Sequence, residues 1–163
     1  MKCEILSNVF LKEHRLLLEL AVSASFRPAS PGQFLHVRAQ DSCDPLLRRP
    51  LSIHDIVAPR NKGGLVVRIL YEVVGKGTAQ LSEKKPFSEI DCLGPLGKGF
   101  DLQKIKKSEN VYIVAGGMGV APLFFLARKL TENRGQRTEN RGQRTEGGKI
   151  IVLLGAKTKH DIL

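Results

Sequence analysis

Six short apolar runs occupy the first hundred residues, at 3–9, 15–22, 33–37, 51–56, 65–74 and 88–93, and turn-forming residues separate them at regular intervals. No such run can bury a face alone, and their even spacing predicts a small antiparallel barrel. The turn signals include Pro28, Pro31-Gly32 and Asn61-Lys62-Gly63-Gly64, where glycine supplies positive φ and proline presets its own. After Thr78, residues 79–84 read as one or two helical turns, with Thr78 as N-cap and Pro86 as the stop. Gly94-Pro95-Leu96-Gly97-Lys98-Gly99-Phe100 then reads as a turn-rich exit and 104–110 as a polar linker, which sets a domain boundary near Lys106.

Beyond that boundary the pattern changes. Val111-Tyr112-Ile113-Val114-Ala115 is a continuous apolar run, as a buried parallel strand requires. Residues 123–130 continue as a helix with a proline near its first turn, and 149–154 supply the next strand. This is one βαβ unit, the start of a doubly wound sheet. An open parallel sheet needs several strands covered on both faces. With two strands in hand, residues 1–105 are read as one domain and 106–163 as part of another. The polar stretch Thr131-Glu132-Asn133-Arg134-Gly135-Gln136-Arg137 recurs at 138–144. It has nothing to bury, so 131–148 is expected to be a mobile surface insertion made by loop duplication. Its seven-residue period lacks the apolar positions of a coiled-coil seam.

Composition excludes several classes. The 26 Lys and Arg against 16 Asp and Glu give a net charge of +10, which suits either nucleic acid or phosphorylated cofactors and an acidic partner. The clusters Lys84-Lys85 and Lys104, Lys106, Lys107 lack interleaved aromatics, and the sequence has no Trp, so no nucleic-acid partner is expected. The stretch 16–22 is too short and too charged to span a bilayer, and Met1-Lys2-Cys3-Glu4 does not open a signal peptide. A cytoplasmic location without membrane attachment is expected. Cys3, Cys43 and Cys92 form no CxxC pair, and His14, His36, His54 and His160 show no ligand spacing, so no metal is assigned.

Two segments carry chemistry. In the first, Arg48-Arg49-Pro50-Leu51-Ser52-Ile53 precedes Leu70-Tyr71 and Gly75-Lys76-Gly77-Thr78, an order of cation, hydroxyl and bare-backbone turn suited to a flavin dinucleotide. Arg49 can offer a planar fork to phosphate oxygens, and Pro50 stiffens the backbone presenting Ser52, which can hydrogen-bond at the ring edge. Tyr71 can pack flat on a cofactor ring, while Gly75 and Gly77 admit a pyrophosphate close to the main chain and the amides after Thr78 complete an anion site. Singly, each residue reads equally well as a surface cation, a core aromatic or a strand-ending turn. A nucleoside-triphosphate loop is rejected, because glycine follows Lys76 and Leu70 stands where the upstream glycine belongs.

The second segment is Gly116-Gly117-Met118-Gly119-Val120-Ala121-Pro122, between the apolar strand and the helix. It departs from GxGxxG at its final position, yet its glycines open the loop and its helix start directs amides toward a phosphate.

Together these residues resemble the ferredoxin-NADP reductase superfamily. More narrowly, Arg49-Pro50-Leu51-Ser52-Ile53, Ile69-Leu70-Tyr71, Gly75-Lys76-Gly77-Thr78 and Gly94-Pro95-Leu96-Gly97 are similar to the electron-transfer subunits of type B dihydroorotate dehydrogenases. The resemblance covers all but the repeat. It implies an antiparallel FAD-binding β-barrel of reductase type followed by an incomplete Rossmann-like α/β NAD-binding domain. It implies FAD held by Arg49, Pro50, Leu51, Ser52, Leu70, Tyr71, Glu72, Gly77 and Thr78, with Glu72 standing where relatives often carry a basic residue. Ser52 would orient the flavin, and no general acid or base is assigned. Gly116, Gly117, Gly119, Ala121 and Pro122 match the GGxGxAP pattern that binds NAD(H) in that superfamily, and 155–161 resembles its next nucleotide-facing loop. The implied partner is a catalytic dihydroorotate dehydrogenase subunit of pyrimidine biosynthesis, in a heterotetramer. Relatives continue to a cysteine cluster for a 2Fe-2S centre, whose ligands are absent from this sequence, so a C-terminally truncated product is expected. Two alternatives stay open: the flavin subunit of an NADH-dependent ferredoxin:NADP oxidoreductase, and a non-catalytic nucleotide-binding module left by truncation.

Overall fold

The computed structural model describes residues 1–23, 26, 29–40, 43–58, 64–135 and 148–162. The turns expected at Pro28 and 61–63, and the repeat from 136 to 147, lie outside the described residues. Six strands, β1 (Lys2–Lys12), β2 (Arg15–Val22), β3 (Phe34–Arg38), β4 (Arg49–Val57), β5 (Leu65–Glu72) and β6 (Glu89–Leu96), close into an antiparallel barrel in the order β1-β2-β5-β4-β3-β6. Strict alternation builds its interior: Leu16, Leu18, Leu20 and Val22 of β2 point inward as the two-residue period of a strand demands. They meet Ile5, Leu35, Val37, Ile53, Val67, Ile69 and Ile90.

Strand β4 breaks that period once. Ile53 pairs with Ile69, but Asp55 pairs with Arg68 and Ile56 with Val67, so the register shifts between Ile53 and Asp55. A bulge of this kind inserts one residue and reverses the sidedness of the strand beyond it. Ile53 and Ile56, three positions apart, therefore both pack on the barrel core, while Asp55 shares the outer side with Arg68.

The second unit consists of β7 (Val111–Gly116), α2 (Val120–Gly135) and β8 (Ile150–Gly155), with β7 and β8 parallel from Val111↔Ile150 to Gly116↔Gly155. Helix α2 serves two cores. Its Phe125 belongs to the barrel cluster, whereas Leu126 and Leu130 pack with Ile113. Leu102 and Ile105 join that second cluster, so the second unit's packing begins ahead of the boundary expected near Lys106. The helix also runs past the end read from its apolar pattern at Leu130. Residues 131–135, expected within a mobile insertion, complete α2 instead. Arg134 explains the gain, since its Nη2 donates to the Glu109 carbonyl at 2.7 Å and its Nη1 donates to the Gly148 carbonyl. Among the described residues no helix is long and apolar enough to cross a membrane.

Candidate functional site

The site begins where the barrel wall opens. Residues 49–52 pair with β3, from Val37↔Arg49 to Phe34↔Ser52, while Tyr71 and Glu72 pair with Leu16 and Arg15 of β2. Between them the β4–β5 ladder stops at Ile53↔Ile69. The first four residues of β4 and the last three of β5 thus border a gap across which, among the described residues, no ladder pairing joins the two strands. The helix α1 (Lys76–Ser82) comes directly after β5.

Arg49 and Gly77, 28 positions apart in sequence, are brought into contact there. A Cβ on Gly77 would stand 2.5 Å from Arg49 Nε and 3.2 Å from Cζ, so the guanidinium rests on bare backbone that any other residue would obstruct. Among the described residues it makes one hydrogen bond, Nη1 donating to the Leu47 carbonyl at 3.2 Å, and no ion pair. A permanent cation with so little internal compensation favours an anion. The hydroxyl of half-buried Ser52 has no hydrogen-bond partner among the described residues, and Pro50 is exposed beside it. Leu51 packs against the barrel core. This donor set, a forked cation over a glycine and an uncommitted hydroxyl along one gap, fits the phosphates and polar ring edge of a flavin dinucleotide.

Four expected contacts take a different form. Tyr71 is 2% exposed within the barrel core, its Oη donating to Asn8 Oδ1 at 3.0 Å, and burial pushes its phenol up to about 12. Its ring is therefore not free to stack on a ligand. Leu70 is likewise buried, so what Leu70 and Tyr71 offer the gap is main chain. Thr78 is not the N-cap of α1; Gly75 is. The Thr78 hydroxyl reaches back to accept from Val74 N at 3.0 Å and Gly75 N at 3.2 Å, and donates to the Gly75 carbonyl at 2.9 Å, which fastens the turn carrying Gly77. Helix α1 has seven residues, too few for a strong dipole, so Arg49 is the dominant attraction. Glu72 is committed to Arg15 across the β2–β5 ladder at 3.3 Å.

The second loop differs in kind. Gly116 ends β7, Gly117 adopts φ +50, and a 3₁₀ turn, Gly117–Gly119, leads into α2. A Cβ on Gly116, Gly117 or Gly119 would meet nothing within 4 Å. Ala121 is buried against the barrel side and Pro122 sits in the first helical turn, where its missing N–H costs no hydrogen bond. Beyond β8, Thr158 and Asp161 hydrogen-bond each other at 2.8 Å, and Arg15 Nη1 donates to the Asp161 carbonyl at 2.5 Å.

Sequence reasoning missed the seam between the units. His54 Nδ1 lies 2.7 Å from the Ala121 carbonyl. That oxygen can only accept, so Nδ1 carries the proton. The imidazole stacks on Phe124 with ring centroids 4.7 Å apart, and burial lowers its pKa below the usual histidine value. Asp55, 2% exposed, accepts from Arg128 Nε at 2.7 Å and Nη2 at 2.6 Å, and Arg128 Nη2 also donates to the Ile56 carbonyl at 2.9 Å. The one signal in the sequence was Ala121, Phe124, Phe125 and Arg128 recurring at helical spacing. Among the described residues no group of three potential metal ligands occurs.

No family model matches the chain. Among curated proteins it is 45% identical over 134 residues to the dihydroorotate dehydrogenase B (NAD(+)) electron transfer subunit of Shouchella clausii, covering 82% of this chain and 45% of that protein. Among solved structures it matches an NADH-dependent reduced ferredoxin-NADP oxidoreductase with TM-score 0.75 and 32% identity, over 99% of this chain and 50% of that one. The fold is that of the ferredoxin-NADP reductase superfamily. The Plasmodium falciparum ferredoxin-NADP+ reductase, at TM-score 0.67, 21% identity and 61% of that chain covered, shares the superfamily fold of a barrel joined to a parallel sheet. The chain spans about half the length of the curated relatives it matches.

Proposed function

We propose that this chain is the flavin-holding part of an FAD-dependent oxidoreductase that moves electrons between NAD(H) and a catalytic partner subunit. The observation that carries the proposal is the Arg49 guanidinium resting on Gly77 at the gap between β4 and β5, with the Ser52 hydroxyl, unpartnered among the described residues, on the same strand. Arg49 would bind the FAD pyrophosphate, with Gly77 and the turn fastened by Thr78 admitting it closely. Pro50, Leu51 and the main chain of Leu70, Tyr71 and Glu72 would frame the ring, and Ser52 would orient it. FAD, when bound, supplies the hydride and electron chemistry; the protein supplies position and charge. Gly116, Gly117, Gly119, Ala121 and Pro122 would receive NAD(H) at the open loop.

The curated relatives' name, an electron transfer subunit of dihydroorotate dehydrogenase B (NAD(+)), supports that enzyme with a catalytic subunit as partner; the resemblance read from the sequence adds a 2Fe-2S centre outside these residues and a role in pyrimidine biosynthesis. The likeness to an NADH-dependent ferredoxin-NADP oxidoreductase supports a second reading, the flavin subunit of that enzyme. Purified chain titrated with FAD tests the shared core of both readings. A bound-flavin absorbance spectrum at about one equivalent is expected, and protein that stays colourless overturns them. Stimulation of dihydroorotate oxidation by an added catalytic subunit then separates the first reading from the second.

A further inference from the structure

One face of α2, Ala121, Phe124, Phe125 and Arg128, meets His54, Asp55 and Ile56 of β4, through the His54 bond to the Ala121 carbonyl, the His54–Phe124 stack and the Arg128 contacts to Asp55 and Ile56. The spacing i, i+3, i+4, i+7 is one stripe of a helix. The bulge makes this meeting possible, because an unbroken strand would turn Asp55 into the barrel beside Ile53. The same β4 carries Arg49 and Ser52 at its other end, and α2 begins directly after the glycine turn Gly117–Gly119. A single strand therefore bears on both candidate nucleotide sites.

The two contacts differ in leverage. Arg128 lies nine residues beyond Gly119, roughly 13 Å down the helix at 1.5 Å per residue, so its pairing with Asp55 fixes that α2 docks. Ala121 lies two residues beyond Gly119, so its contact with His54 fixes where the turn sits. Resting on the flavin reading above, we propose that His54 is a positioning residue, which holds the Gly117–Gly119 turn in register with Ser52 so that a nicotinamide bound at the turn faces the flavin. Transfer between two bound rings depends steeply on their separation and angle, and small misplacement costs rate without costing affinity.

The test compares His54→Phe, which keeps a ring against Phe124 but loses the donor, with His54→Gln, which keeps a donor but loses the ring. The first readout is amide exchange in the chain without cofactor. His54→Phe should speed exchange across 119–125 by about 5-fold, the equivalent of one ordinary hydrogen bond, and leave barrel amides unchanged. The second is bleaching of bound FAD by saturating NADH, in which NADH becomes NAD+ while the flavin takes up the hydride and one solvent proton. His54→Phe should retain FAD, bind NADH within about 2-fold of wild type, and bleach about 10-fold more slowly. His54→Gln should recover most of that rate. Bleaching of His54→Phe at the wild-type rate, no recovery in His54→Gln, or a yellow wild-type chain that NADH does not bleach would each overturn the proposal. A wild-type chain that takes up no FAD fails the flavin reading instead, and unaltered exchange in His54→Phe then overturns the positioning role on its own.

Discussion

Gly77 and the glycines at 116, 117 and 119 all bare the backbone at a candidate nucleotide site, and the two sites do so for opposite reasons. At Gly77 the chain itself uses the space, since a Cβ would meet the Arg49 guanidinium. At Gly116 and Gly119 a Cβ would meet nothing within 4 Å, and of the three glycines there only Gly117, at φ +50, is demanded by the chain's own backbone. The barrel site is thus assembled and charged before any ligand arrives. The second site is an opening, and the sheet beside it leaves Tyr112 62% and Val114 70% exposed on its outer face. A site whose geometry is set by its own packing binds with little ordering cost, whereas an open one makes the ligand contribute the order.

The heaviest loss should come from cutting the second unit away from the first. Arg128→Leu removes the guanidinium from buried Asp55 and leaves that carboxylate, among the described residues, only Arg68, whose Nη1 lies 3.9 Å away. Unpairing a buried ion pair from one side costs about 3 kcal/mol. Chemical denaturation should register that loss, and amide exchange should place it in α2, β7 and β8 while the barrel stays protected. Equal loss in both units would mean that they unfold as one body and that the contrast between a built site and an open one has no energetic basis.

Arg49→Ala comes next. Losing a charge-assisted contact of about 1.5–3 kcal/mol should weaken FAD binding by about 10- to 150-fold with stability unchanged, read by flavin fluorescence titration. Gly77→Ala should act in the same direction but less, because the guanidinium is the free end of a flexible side chain and can swing aside. Unaltered FAD retention in both variants would remove the barrel gap as the site. Gly117→Ala forces a side chain into the left-handed region and should cost about 1 kcal/mol of stability without any ligand.

Much of this contrast was legible in the sequence, and the failures have physical causes. The six barrel strands and the βαβ unit announce themselves because their apolar periods differ. Arg49, Ser52 and Gly77 could be grouped because their chemistry is complementary, whatever their spacing. Tyr71 could not be assigned a side, since Ile69, Leu70 and Tyr71 are all apolar or aromatic and carry no alternation; register with Leu16 decides it. Thr78 has the chemistry of a cap, but its hydroxyl fastens the turn from the third helical position. The bulge at His54 erases the two-residue period at the one place where β4 meets α2. The last turn of α2 has no apolar signal because Arg134, inside the repeat, holds it through two carbonyls.

The seam also sets a pH response smaller than any of these. Burial depresses the pKa of His54, and its hydrogen bond to Ala121 only partly opposes this. The unfolded chain therefore binds a proton near pH 6.5 that the native chain resists, so this contribution is fully present above about pH 6.5 and is lost as pH falls below it. Thermal unfolding at about pH 8 and about pH 5.5 should show a larger drop in Tm for wild type than for His54→Phe, which has nothing to protonate there. Equal drops would mean that His54 is solvated rather than held in the seam.

The smallest effect has the opposite sign and tests the contrast most directly. Gly116 sits at φ −114 and ψ 129, ordinary strand geometry, with open space where its Cβ would be. If its bareness serves only a ligand, Gly116→Ala should stabilise the free chain by about 0.4–1 kcal/mol, because alanine loses less backbone freedom on folding. The same change should weaken NAD(H) binding, since the methyl group would occupy the path of the incoming nucleotide. Equilibrium denaturation and nucleotide titration on one preparation check both halves. Destabilisation would show that the chain itself needs this glycine, as it needs Gly77, and the distinction between the two sites would then fail at its most exposed residue.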